Sequence, residues 1–211
     1  FRNSDEIKPS PAHKVNSGVT CKFKKLEQVH ICLGTSGIKT NDDQRYECYL
    51  LNTILGGSMS SRLFQNIREQ KGLAYSVHSS SSNYFDTGLF IVYAATGIKN
   101  YTTTLKLIVD ELKDIKNNKI KNKELEKAKN QLKGLLMLSL ESSGSRMVQL
   151  AKEEMYFKKH FTLDEIIKNI NEVTADGIKS LANRMFDSQP FTLALLGPLR
   201  DNKNFENILH S

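Results

Sequence analysis

The order of apolar and polar positions predicts strands in the first half of the chain and helices in the second. Val29, Ile31 and Leu33 alternate with less apolar residues, as in a strand with one buried face. Four runs of this kind predict strands, at residues 22–33, 73–81, 89–95 and 191–196. The second and third flank a short polar turn and predict a hairpin.

Apolar residues three and four positions apart predict helices. These cover about residues 43–55, 61–70, 101–115, 122–140, 146–157, 162–171 and 174–186. In the helix over 122–140, the positions expected to face the core are Leu125, Ala128, Leu132, Leu135 and Leu136. Glycines at 56–57 and Gly72 are expected to end the first two helices. Residues 142–145 (SSGS) are expected to break the helix over 122–140. Thr162 and Glu165 have the spacing of a capping box.

The order of these elements predicts an α+β fold, with an antiparallel or mixed sheet covered by helices. A doubly wound parallel sheet is disfavoured because strands and helices do not alternate. One domain is expected over residues 21–199. Residues 1–20 are polar and contain prolines, so they are interpreted as a linker or lead-in arm, and residues 200–211 as a C-terminal tail.

Composition narrows the class of protein. Of 211 residues, 39% are hydrophobic and 25% charged, which is typical of a globular domain. The net charge of +7 is spread out, and residues 113–129 mix lysines with acids, so no nucleic-acid partner is expected. No apolar run reaches the ~20 residues that span a bilayer, so no membrane insertion is expected.

Three cysteines without paired spacing favour a reducing compartment. The chain begins with Phe1, so we expect a fragment or a processed product.

The chain lacks the motifs of a self-sufficient enzyme. No HxxxH or HxxEH pair, GxSxG elbow or phosphate-binding glycine loop occurs in it. His30 and His78 lie on predicted strands and are interpreted as structural. No metal is therefore expected to bind this chain.

Residues 56–77 contain an unusually high number of polar and charged side chains. Arg68 lies near the end of a predicted helix and Tyr75 in the following strand, with a turn at Gly72 between them. Such a turn could direct both side chains into one cleft, where they would hold a peptide carbonyl or a developing oxyanion. Alternatively, Arg68 caps the helix C-terminus and Tyr75 fills the core.

The same segment resembles the C-terminal half of the M16 zinc metallopeptidases, the family of pitrilysin, insulinase and the mitochondrial processing peptidase. The resemblance rests first on LLNTILGGSMSSRLFQNIREQKGLAYSV at residues 50–77. It continues in ELEKAKNQLKG, LSLESSGSRMVQLAKEEMYF, DEIIKNINEVTADGIKSLANRMF and LALLGP. It covers about residues 20–199, which is essentially the whole domain.

The resemblance implies the LuxS/MPP-like metallohydrolase fold, in its non-zinc half. Family members pair two such domains, and the N-terminal one carries the HxxEH zinc site. The two halves close around an unfolded peptide. An Arg and a Tyr seven residues apart in the C-terminal half contact this substrate near the zinc. Arg68 and Tyr75 match them in identity and spacing.

The resemblance thus implies the substrate-clamping half of a zinc-dependent peptidase that cleaves unfolded peptides or presequences. Tyr75 would stabilise the oxyanion, and Arg68 would hold a neighbouring carbonyl. The expected partner is an N-terminal zinc-binding domain, in the same chain or another subunit, and an uncovered apolar face could also support a dimer. The alternative is a non-catalytic M16-like partner subunit or scaffold. The expected location is the bacterial cytoplasm, with the mitochondrial matrix as the alternative.

Overall fold

The computed structural model describes residues 16–187, 191–199, 205, 208 and 209. Its strands are β1 (Gly18–Phe23), β2 (Gln28–Ser36), β3 (Ala74–Asn83), β4 (Gly88–Gly97) and β5 (Thr192–Gly197). A π-helix spans Phe64–Glu69. The α-helices are α1 (Arg45–Leu55), α2 (Tyr101–Asn117), α3 (Asn122–Leu140), α4 (Ser143–Phe157), α5 (Leu163–Glu172) and α6 (Ala175–Phe186).

The strands form a mixed sheet in the order β1-β5-β2-β4-β3. β1 runs parallel to β5, and the other neighbours are antiparallel. In the middle of the sheet, Ile31 of β2 lies opposite Ala94 of β4 and Leu195 of β5. The predicted α+β class with a mixed, helix-covered sheet is therefore confirmed.

The core lies between one face of the sheet and the helices. Val29, Ile31 and Leu33 point into it and are at most 2% exposed. They pack in one cluster with buried residues of α1, α2 and α6. The intervening residues of β2, among them His30 and Cys32, are only half-buried and form the opposite face. The period-two alternation of β2 thus sets which face the helices cover.

The first predicted strand was wrong in extent. Residues 22–33 contain the end of β1, a connection at residues 24–27 and the start of β2. β1 lacks a clear apolar alternation because it lies at the edge of the sheet and is mostly exposed. Three residues assigned to the lead-in arm, Gly18 to Thr20, belong to β1, and residues 1–15 lie outside the described residues.

Two details of the helices also differ from expectation. Leu135 is 54% exposed rather than inward-facing, while Leu125 and Ala128 are buried as predicted. The expected break after α3 is confirmed, but α4 begins at Ser143, three residues before the predicted start at residue 146. Ser142 caps α4, because its hydroxyl accepts a hydrogen bond of 3.3 Å from the Ser145 amide.

The caps of the last two helices match their sequence signals. Thr162 and Glu165 form the complete capping box of α5. Thr174 caps α6 by accepting from the amide of Gly177. Of the predicted C-terminal tail, Phe205 is described, and it is buried against the ring of Tyr101.

The cysteines of the described chain are unpaired, with Cys21 and Cys32 half-buried and Cys48 buried. Burial raises the pKa of each thiol, because the thiolate would lose its hydration. None of the described helices has the length and apolar character needed to span a bilayer.

The end of α1 lies directly against β3. A Cβ added at Gly56 would overlap the amide nitrogen of Ser79 and come within 2.7 Å of its hydroxyl. This contact carries a hydrogen bond of 3.2 Å from the Ser79 amide to the Gly56 carbonyl. The Ser79 hydroxyl also donates to the Asn52 side chain at 2.8 Å. A glycine is therefore required where the helical layer meets the edge strand.

We expect Gly56→Ala to lower the free energy of unfolding by about 1–3 kcal/mol, because the methyl group would displace backbone. Gly134→Ala is the matched control, since Gly134 is an exposed position of α3 with open space around its Cα. That change should raise stability by about 0.5–1 kcal/mol. Urea unfolding of both variants measures the difference, and equal stabilities would contradict the close contact.

Candidate functional site

The candidate site begins with the π-helix. Leu63 and Ile67 are fully buried and fix one side of this segment in the core. The Gln70 amide donates to the Gln65 carbonyl at 2.9 Å, which is the five-residue spacing of a π-helix. Such helices are rare and frequently occur at functional sites, since the extra residue per turn redirects the side chains that follow. Arg68 lies in the last turn of this π-helix.

A left-handed turn joins the π-helix to β3. Gly72 has φ of +61°, a conformation that residues with a Cβ adopt only with strain. Its amide donates to the Arg68 carbonyl at 3.0 Å, and the Leu73 amide donates to the Ile67 carbonyl at 3.0 Å. These two bonds reverse the chain within a few residues. Arg68 and Tyr75 consequently lie on either side of one tight turn.

Arg68 presents its guanidinium to the surface. Its side chain is 45% exposed, and its Cζ lies 4.8 Å from the centre of the Phe64 ring. Its Nε is 4.0 Å from a carboxylate oxygen of Glu69, which is the outer limit of an ion pair. Among the described residues the guanidinium donates no hydrogen bond to the helix C-terminus, so the capping interpretation finds no support. Its N–H groups are available to a ligand.

Tyr75 lies at a β-bulge. Ala74 and Ser76 pair with Thr96 and Ala95, which are adjacent on β4, so Tyr75 is the extra residue. Bulges redirect side chains and are common beside active sites. Tyr75 is 64% exposed, whereas its neighbour Ala74 is buried. The interpretation that Tyr75 fills the core is therefore wrong.

The turn thus brings the two sequence-predicted residues to one end of the edge strand β3. The Tyr75 hydroxyl has no hydrogen-bond partner in the described part of the chain. One side chain offers a neutral O–H donor and the other a charged N–H fork. Two such donors can bind carbonyl oxygens of a peptide and can stabilise negative charge on one of them.

An ion cluster that local sequence does not reveal holds the start of this unit. Arg62 donates to both carboxylate oxygens of Glu124, at 2.7 and 2.8 Å, and to Asp114 at 2.6 Å. Its side chain is 16% exposed. The hydrogen bonds to Glu124 raise the pKa of Arg62, because they favour the charged guanidinium. The partners lie on α2 and α3, more than 50 residues away in sequence, so only the fold brings them together.

No group of three or more His, Cys, Asp or Glu side chains in the described ranges could hold a metal ion. His30 instead lies 2.7 Å from the Tyr93 hydroxyl, and the ring of His78 lies 5.1 Å from the Tyr93 ring. Both histidines are thus part of a side-chain cluster on the half-buried sheet face. His13 and His210 lie outside the described residues.

We expect Arg62→Ala to lower the free energy of unfolding by about 1.5–3 kcal/mol, because the half-buried Glu124 would lose both of its hydrogen bonds to the guanidinium. Lys119→Ala is the control, since the Lys119–Asp176 pair is 62% and 71% exposed. It should cost about 0–1 kcal/mol. Urea unfolding compares the two variants, and an Arg62→Ala loss no larger than the control would refute the anchoring role.

Comparison with known proteins places these features in a family context. A family model described as the peptidase M16 inactive domain matches residues 2–132. The chain is 45% identical over 175 residues to the uncharacterized zinc protease YmxG of Bacillus subtilis, covering 83% of the chain and 42% of that relative. It is 38% identical to an uncharacterized zinc protease of Streptomyces coelicolor, covering 85% of the chain and 39% of that relative. The chain therefore spans less than half the length of these curated relatives.

Solved structures agree with the sequence matches. A crystal structure of a peptidase M16 inactive domain from Pseudomonas fluorescens superposes with a TM-score of 0.81 at 26% identity. The match covers 92% of this chain and 47% of that one. A conserved protein from Enterococcus faecalis superposes with a TM-score of 0.77 at 29% identity, over 92% of this chain and 44% of that one.

Proposed function

This chain belongs to the M16 peptidase family, through the type of domain that the family model describes as inactive, and we propose that it is the substrate-clamping half of a zinc-dependent peptidase. The observation that supports this most strongly is the placement of Arg68 and Tyr75. Both are exposed donors at one tight turn, and neither is occupied by a short hydrogen bond within the described chain. Arg68 lies on a π-helix and Tyr75 at a β-bulge, and both kinds of irregularity are frequent at functional sites.

The zinc site is assigned to another domain. The described residues form no metal-binding group, and the curated relatives named as zinc proteases are more than twice as long as the matched region. An HxxEH domain in the longer protein, or on a partner subunit, would supply a metal-activated water. An unfolded peptide or presequence would lie between that domain and this one.

Within this arrangement the chain's own residues bind and orient the peptide. The Tyr75 hydroxyl donates a hydrogen bond to the scissile carbonyl oxygen, which strengthens as that oxygen becomes negative. The Arg68 guanidinium donates to a neighbouring backbone carbonyl and fixes the register of the peptide. Phe64 lies under the guanidinium and limits its movement. A bacterial cytoplasmic location fits the bacterial origin of the curated relatives.

A non-catalytic partner subunit is the competing function, and it is consistent with the description of the matching domain as inactive. In that case the peptidase activity of the complete protein would not depend on Arg68 and Tyr75. The two functions therefore differ in one measurable quantity, which is the rate of peptide cleavage.

We expect Tyr75→Phe in the complete protein with its HxxEH domain to lower kcat by about 10²–10³-fold, which is the usual effect of removing one oxyanion donor. Tyr84→Phe is the control, because Tyr84 is also exposed, at 53%, and lies outside the turn. Hydrolysis of an unstructured fluorogenic peptide measures the effect.

Arg68→Ala should also slow cleavage, with a larger change in KM than that of Tyr75→Phe because Arg68 binds a carbonyl that does not react. Arg146→Ala, an exposed position on α4, is its control. Thermal unfolding should show both site variants folded. Unchanged turnover in the two site variants would remove their assigned roles and leave the non-catalytic function.

A further inference from the structure

A second site lies among the helices. An open pocket of about 640 Å³ is lined by residues of α1, α3, α4 and α5 and of the adjoining loops, and neither Arg68 nor Tyr75 lines it. Its walls are mainly apolar, with Leu136, Val148 and Ile166 among the lining residues. Ligand-binding pockets commonly have volumes of about 300–1,000 Å³ and apolar walls with a few converging polar groups. The polar groups of this pocket therefore decide what it could bind.

Arg45 is the principal charge in the pocket. Its Cζ lies 4.6 Å from the ring centre of Tyr46, 5.0 Å from that of Phe157 and 5.3 Å from that of Phe161. Three aromatic rings thus surround the guanidinium and hold it in place. By contrast, Arg62 and Arg184 are paired with carboxylates. Within the described chain no carboxylate pairs with Arg45 and no hydrogen bond occupies its N–H groups.

Two hydroxyl groups border the same space. Tyr49 lines the pocket, and burial raises its pKa because the phenolate would lose hydration, so the group remains a proton donor. Thr40 also lines the pocket, and its Oγ1 is buried without a hydrogen-bond partner in the described residues. A buried hydroxyl without a partner is costly, and a polar ligand group would relieve that cost.

The carboxylate in the pocket wall does not neutralise Arg45. Glu153 is 6% exposed, and its two oxygens accept from the Gln149 side chain at 2.8 Å and from the Phe161 amide at 3.1 Å. His160 lies 3.6 Å from one of those oxygens. Both oxygens of Glu153 are therefore occupied by neighbouring groups of the pocket wall. Lys152 also lines the pocket, so the local charge balance favours an anion.

We propose that this pocket binds a carboxylate attached to an apolar group, and specifically the C-terminal carboxylate of a peptide that ends in an apolar residue. The carboxylate would accept two hydrogen bonds from the Arg45 fork and one from the Tyr49 hydroxyl, and the apolar side chain would pack on Leu136 and Val148. The choice of a peptide rests on the proposed function. The carboxylate site itself rests on the geometry of Arg45.

The test is a binding titration of the 211-residue chain with acetyl-Ala-Leu-Phe and with its C-terminal amide, measured by calorimetry. We expect the free acid to bind at least about tenfold more tightly than the amide, since only the acid provides two charged acceptors for the arginine fork. Arg45→Gln should remove that preference, and Arg45→Lys should restore part of it. Arg146→Gln, an exposed arginine of α4 outside the pocket, should leave the preference unchanged.

Several outcomes would overturn the proposal. Equal binding of the acid and the amide would show that Arg45 does not recognise a carboxylate. The same conclusion would follow if the preference for the acid persisted in Arg45→Gln with an unaltered thermal unfolding curve. Binding of octanoate without binding of the peptide acid would refute a peptide as the ligand. Because Arg68 and Tyr75 remain intact and no cleavage is measured, failure here is distinguishable from failure of the proposed function.

Discussion

The arrangement of this domain depends on one close contact, where the backbone of Gly56 lies against Ser79 of β3. The contact joins the end of α1 to the edge strand through the Ser79 amide and hydroxyl. The chain leaves α1 at that point and returns to the same strand through the π-helix and the turn at Gly72. The ends of α1 and of the π-helix are therefore both fixed to β3, at one edge of the sheet. Arg68 and Tyr75 acquire their positions from this closed path rather than from contacts of their own.

Much of the fold could be predicted because its helices and central strands carry strong periodic signals. The α+β class, the capping box of α5 and the hairpin of β3 and β4 follow from spacing alone. β1 could not be separated from β2 because an exposed edge strand has no buried face to impose alternation. The exposure of Leu135 was missed for a related reason, since an apolar position on a helix does not reveal which helices cover it.

One part of the candidate site could likewise be predicted from the sequence, and another part could not. Arg68 and Tyr75 were identified from the sequence, because their segment is rich in polar and charged residues and because it resembles a known family. The π-helix and the bulge that turn them outward are departures from regular geometry that no periodic pattern predicts. The partners of Arg62 lie on α2 and α3, and the rings around Arg45 come from α1, from α4 and from the loop after it. Contacts between distant elements appear only once the chain is folded.

The central claim is that this domain contributes binding groups to a peptidase site completed by another domain. A crystal structure of the complete protein with an uncleaved peptide would test it most directly. The account predicts the Tyr75 hydroxyl within about 2.7–3.1 Å of the scissile carbonyl oxygen, and the Arg68 guanidinium on a neighbouring carbonyl. A peptide bound at the zinc site without contacting either residue would contradict the account.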